Sequence, residues 1–94
     1  MPRIYFVQHR DDVRPYTVKI KISSKSTVYE LKHEVNKYMN IIPTDQELFY
    51  GHIGYLKNEL RICKDYKIVN GSTFIVQNTK HYYGLSYDVD FTRK

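Results

Sequence analysis

Cys63 is the single thiol in this chain of 94 residues. A thiol becomes a nucleophile or a metal ligand where neighbours stabilise its thiolate or complete a ligand set. The residues around Cys63 are instead Leu60, Ile62 and Ile68, which predict an interior, structural thiol. Histidine, the other residue suited to proton transfer and metal binding, occurs at His9, His33, His52 and His81. These are scattered along the chain without the short spacings of a zinc site. No glycine-rich phosphate loop is present, and no Ser–His–Asp set can be drawn from spacing. The chemistry-bearing residues therefore predict no enzyme, no metal and no cofactor.

Aromatic and charged side chains are left as the means of recognition. Tyrosine supplies 10 residues and phenylalanine 4, and the net charge is +5. A sequence pI near 9.3 raises nucleic acid as a ligand, through Lys19, Lys21, Lys25 and the tyrosines. The charges are interleaved rather than blocked, however. Asp11 and Asp12 sit beside Arg10 and Arg14, and Glu30 and Glu34 bracket Lys32 and His33. This pattern predicts a mixed solvated surface. One cysteine excludes an internal disulfide framework and fits a reducing compartment. The opening "MPRIYFVQHRDD" has no basic segment leading into a long apolar one, and no apolar run approaches bilayer length. The expectation is a cytoplasmic or nuclear protein with no membrane contact.

The elements that must position these side chains read as follows. "RIYFVQH" is short, apolar and aromatic, and predicts a strand whose inward pair is Ile4 with Phe6 or Tyr5 with Val7. "RDDVRP" suits a hairpin loop. "YTVKIKI" alternates, placing Tyr16, Val18, Ile20 and Ile22 on one face and Thr17, Lys19 and Lys21 on the other. Thr27 and Glu30 then form a capping box, with Val28, Leu31, Val35 and Tyr38 or Met39 as the helix's apolar stripe. Lys32, His33, Asn36 and Lys37 lie off that stripe, and the helix ends near Asn40, ahead of Pro43. "QELFYG" predicts a short strand and "HIGYLKN" a turn with a very short one. A connector follows, anchored by Ile62 or Cys63, Tyr66 and Ile68. Asn70-Gly71 marks a turn, and "STFIVQN" a strand. Strand, strand, helix and three further short strands predict an α+β β-grasp domain over residues 1–79, a mixed sheet of four to five strands packed on one helix.

Residues 80–94 form a C-terminal extension in which Tyr83, Leu85, Tyr87, Val89 and Phe91 fall at every second position. That period predicts an added strand with one apolar face. Its first part, Tyr83–Asp88, competes with Ser72–Asn78 for the place of the last core strand. Beside its own sheet edge it would guard against stray pairing; against another subunit it would serve as a contact strand.

In its order of elements the chain from Ile4 to Thr79 resembles the ubiquitin-like superfamily. Within it, "STVYELK", then Pro43, Gln46, Leu48 and Phe49, and finally "YGLSY" resemble the elongin B family most. That family is acidic where this chain reads "GHIGYLKNEL", so the likeness has gaps. The superfamily resemblance implies a docking surface on the sheet face opposite the helix, centred on Phe49 and flanked by His52, Ile75 and Gln77. Gln77 stands where ubiquitin has valine, which weakens the usual receptor patch. Conjugation requires a Gly-Gly tail, and the only glycine after Thr79 is Gly84, so a conjugated modifier is not expected. The elongin B likeness implies an adaptor that pairs with an elongin C-like subunit in a cullin-type ubiquitin ligase, with Tyr83, Leu85, Tyr87, Val89 and Phe91 helping to hold that partner. The rival expectations are a ubiquitin-like domain docking on proteasomal or other ubiquitin-pathway receptors, and a basic nucleic-acid-associated domain.

Overall fold

The first strand's inward face, which alternation alone leaves open, is taken by Tyr5 and Val7, both fully buried. The computed structural model of the protein describes residues 2–10 and 16–79. Strand β1 (Pro2–His9) pairs antiparallel with β2 (Thr17–Ser23), so Tyr5 lies opposite Ile20. The hairpin loop expected between them lies outside the described residues. Ile20 and Ile22 are buried on the face shared with Tyr5 and Val7, as the alternation of "YTVKIKI" requires.

Helix α1 (Val28–Met39) starts where Thr27 and Glu30 cap each other's backbone N–H. The Glu30 N–H donates to Thr27 Oγ1 at 3.2 Å, and the Thr27 N–H to Glu30 Oε1 at 2.8 Å. Two further donors of the first turn find carbonyls of the later connector: Val28 N–H reaches Leu60 O at 2.9 Å and Tyr29 N–H reaches Asn58 O at 3.1 Å. All the donors named here would otherwise be orphans of the helix start. Val28, Leu31 and Val35 are buried against the sheet, while Met39 rather than Tyr38 continues the stripe. The helix stops at Asn40, which adopts a left-handed conformation with φ 58°.

One expectation for this helix is corrected. Lys32, placed off the apolar stripe by its spacing, is only 6% exposed. It adjoins Leu31 in sequence, at the border of the stripe, and its stem is long enough to lie along apolar surface.

Strand β3 (Gln46–Tyr50) follows a 3-10 turn over Pro43–Asp45. A second such turn, Gly51–Ile53, leads into β4 (Gly54–Tyr55). The connector then buries Ile62 and Ile68, with Cys63 and Tyr66 packed partly against the core. After the turn at Gly71, φ 90°, strand β5 (Thr73–Asn78) enters the middle of the sheet. It runs parallel to β1 and antiparallel to β3. The sheet order is β2-β1-β5-β3-β4. The fold is therefore α+β, a five-stranded mixed sheet gripping one helix in the β-grasp manner. "STFIVQN" supplies the last core strand, and the alternative at Tyr83–Asp88 lies outside the described residues.

The core lies between α1 and one face of the sheet. Phe74, Val76 and Leu48 complete it, with the Phe74 ring edge-on to Tyr5 at 5.3 Å. Among the described residues no helix is long and apolar enough to cross a membrane.

A candidate docking face on the open side of the sheet

Alternation that turns Tyr5, Leu48, Phe74 and Val76 toward the helix turns their neighbours the other way. Phe49, Ile75 and Gln77 share that outer face. Register makes them a row across strands: Ile75 lies opposite Gln8 on β1 and opposite Phe49 on β3, and Phe49 opposite Tyr55 on β4. Ile75, Phe49 and Gln77 are half-buried, whereas Tyr55 is 62% exposed. The Phe49 and Tyr55 rings stack at a tilt, with centroids 4.4 Å apart. Phe6, half-buried, lies nearby between Lys19 and Thr73.

Arg10 closes one side of this row. Its guanidinium carbon stands 4.1 Å from the centre of the Phe49 ring, a cation–π contact. Its Nη1 donates to Gln77 Oε1 at 3.2 Å, and its backbone N–H to Val76 O at 2.8 Å. Lys19 and Lys21 extend the positive charge across β2, and among the described residues Glu47, opposite Gln77, brings an acidic group to the face. His52 is exposed on the Gly51–Ile53 turn beside the row.

Phe49 and two of the three positions expected to flank it, Ile75 and Gln77, thus lie on the open sheet face, and the third, His52, sits on the turn that follows β3. Tyr83, Leu85, Tyr87, Val89 and Phe91 lie outside the described residues. Sequence reasoning missed Tyr55, Phe6 and Arg10. Phe6 was legible in principle, since an inward Tyr5 and Val7 force it outward. Arg10 carried no comparable mark, because its contact with Phe49 joins strands distant along the chain.

The chemistry-bearing residues sit elsewhere. Cys63 is half-buried, and its sulfur lies 3.2 Å from the Tyr5 hydroxyl, which also donates to Ile68 O at 3.0 Å. Burial, reinforced by the Cys63 contact, pushes the Tyr5 phenol far above its usual range. The thiol therefore sits beside a group that stays neutral. His33 packs its ring edge-on against Tyr29 at 4.6 Å. Among the described residues no three His, Cys, Asp or Glu side chains gather where a metal could bind.

A shallow hollow between the end of α1 and β3 holds the two most buried polar side chains among the described residues, Gln46 and Lys32. Lys32, Gln46 and Glu47 line it, with Leu56 and Thr79. Gln46 is 3% exposed. Its Nε2 donates to Lys32 O at 2.8 Å and to Ile41 O at 2.7 Å, tying the end of α1 to β3. Burial lowers the Lys32 ammonium below the ordinary lysine range, and the Glu47 carboxylate partly restores it. These bonds brace the fold.

No known family model matches this chain, and a search of curated proteins returns no significant relative.

Proposed function

We propose that this chain is a non-catalytic protein-interaction subunit that docks its partner on the open sheet face. The row Ile75, Phe49 and Tyr55 carries this reading, since β3, β4 and β5 hold apolar side chains together outside the core. Aromatic residues concentrate binding energy when a partner removes them from water, and Arg10 adds a second anchor type beside them.

The finer reading is an elongin B-like adaptor, paired with an elongin C-like subunit in a cullin-type ubiquitin ligase. The likeness of "STVYELK", of the Pro43 to Phe49 passage and of "YGLSY" supports it. Affinity capture from the source cells with the full chain, read by mass spectrometry, tests both levels. An elongin C-like protein and a cullin, recovered with the native chain and lost with Phe49→Ala, are the expected result. Recovery of proteasomal or ubiquitin-receptor proteins alone would move the assignment to a ubiquitin-like docking domain. Capture unaffected by Phe49→Ala would remove the open face as the contact.

A second reading has one observation in its favour. Lys19, Lys21 and Arg10 flank the half-buried Phe6 and Phe49, and basic groups among surface rings suit a single nucleic-acid strand. The stacking face of Phe49 next to Arg10 is already taken by that guanidinium, so the protein reading is preferred. Titration with a labelled single strand at rising salt decides the point: steep loss of binding would favour nucleic acid, and no binding at low salt would exclude it.

A further inference from the structure

Asn70 alone among the asparagines of the sequence precedes a glycine. Asparagine is chemically labile. A following glycine has no Cβ to keep its backbone nitrogen away from the side-chain carbonyl carbon. Both residues are exposed, so water and hydroxide reach them. The fold, however, holds both reacting groups on one residue of β1. The Ile4 N–H donates to Asn70 Oδ1 at 2.7 Å, and the Gly71 N–H donates to Ile4 O at 2.7 Å. The turn is tied further by Ser72, whose hydroxyl donates to Val69 O at 2.7 Å.

The two bonds to Ile4 oppose cyclisation in different ways. The first fixes the side chain, which has to turn its carbonyl carbon toward the Gly71 nitrogen. The second engages the proton that must leave before that nitrogen becomes a nucleophile. Once β1 lifts from the turn, both restraints go together. The Gly71 nitrogen gives its proton to solvent base and attacks Asn70 Cγ. A C–N bond forms, and the side-chain nitrogen leaves as ammonia with a proton from water, so a cyclic imide results. Water then adds to one of the two imide carbonyls and breaks its C–N bond. One opening gives aspartate, which keeps an oxygen where the Ile4 N–H needs it. The other gives isoaspartate, whose main chain runs through the former side chain and is longer by a methylene. That methylene enters just ahead of Ser72, whose carbonyl accepts the Phe6 N–H at 3.0 Å where β5 joins β1. The lengthened chain meets β1 out of step.

We propose that Asn70–Gly71 is a self-modification site that Ile4 keeps closed in the folded chain. Opening of β1 exposes it to cyclisation, and isoaspartate formed there hinders the return of β5 to its register. The site is independent of any docking on the open face.

The test incubates the full chain at mildly alkaline pH, in native buffer and in unfolding urea. A peptide spanning Lys67–Thr73 serves as the unrestrained reference. Peptide mapping that separates aspartate from isoaspartate at position 70 gives the rates. Conversion in native buffer should be at least roughly tenfold slower than in urea, in proportion to the fraction of chains that are open. Equal rates would overturn the proposal, as would a peptide that does not convert. Faster conversion in the folded chain would also overturn it, since the Ile4 N–H would then be activating the carbonyl rather than restraining it. Ile4→Pro removes the donor to Asn70 and keeps the carbonyl that holds Gly71. With its fold checked by circular dichroism, this variant should convert severalfold faster in native buffer. A folded Ile4→Pro chain that converts no faster would overturn the restraint; if the variant does not fold, the comparison between buffer and urea decides alone. The consequence is read separately. Asn70→Asp should keep the native urea midpoint, whereas the isoaspartate form, purified and refolded, should show a lower one. Equal midpoints for those two would overturn the loss of register.

Discussion

Tyr5 shows how one side chain sets a stability limit. Its ring is buried against Phe74, and its hydroxyl bonds Ile68 O and meets Cys63. A phenol whose pKa is raised in the folded state stabilises the fold fully below the unfolded value of 10.0, and that contribution is lost as pH rises above it. Urea unfolding should therefore show stability falling above pH 10. Tyr5→Phe should cost about 1 kcal/mol at pH 7, the net worth of a buried hydrogen bond, and should flatten the alkaline decline. Lys32 has the opposite sign. Its lowered pKa means that the charged amine costs stability at neutral pH, a cost relieved as pH rises through the folded value toward the unfolded 10.5. Lys32→Met keeps the stem's packing and removes the charge. It should raise stability by about 1 kcal/mol at pH 7, with the gain shrinking toward pH 10.5. A loss in thermal melting would mean that the amine has a hydrogen-bond acceptor that methionine cannot replace.

Among the elements, α1 was the most legible in sequence. Its capping box, its stripe and its end before Pro43 are local features, set by residues within a few positions of one another. Thr27→Ala should destabilise the protein by about 1 kcal/mol, measured as a lower urea midpoint with unchanged slope. The border of the same helix was read wrongly at Lys32, because a spacing rule assigns faces by Cα position while a long stem can bend back over the core. Strand β1 was ambiguous for another reason. Both of its faces are apolar, so alternation could not rank Tyr5 and Val7 against Ile4 and Phe6. The choice fell to the partners across the sheet, Ile20 opposite Tyr5 and Phe74 beside Val7. Strand β5 follows the turn at Gly71 and takes the central position between β1 and β3, a place that local pattern leaves open.

At the scale of the whole molecule, the sheet separates two apolar populations with different duties. Leu31, on the helix side, is fully buried, and Leu31→Ala should cost about 3 kcal/mol through lost transfer energy and an unfilled cavity. Phe49, on the open side, should lose about 1 kcal/mol or less as Phe49→Ala, while carrying most of the partner binding. Parallel melts and capture experiments on the two variants check the contrast. If Phe49→Ala unfolded the domain as severely as Leu31→Ala, the open face would be part of the core. Elements and their order were determined by the sequence alone, because caps, turns and alternation act over a few residues. The site was decided only by the tertiary structure. Arg10 meets Phe49, and Ile75 lies opposite it, because β5 inserts between β1 and β3 and sets their register. Such cross-strand contacts arise from long-range pairing, which no local pattern encodes.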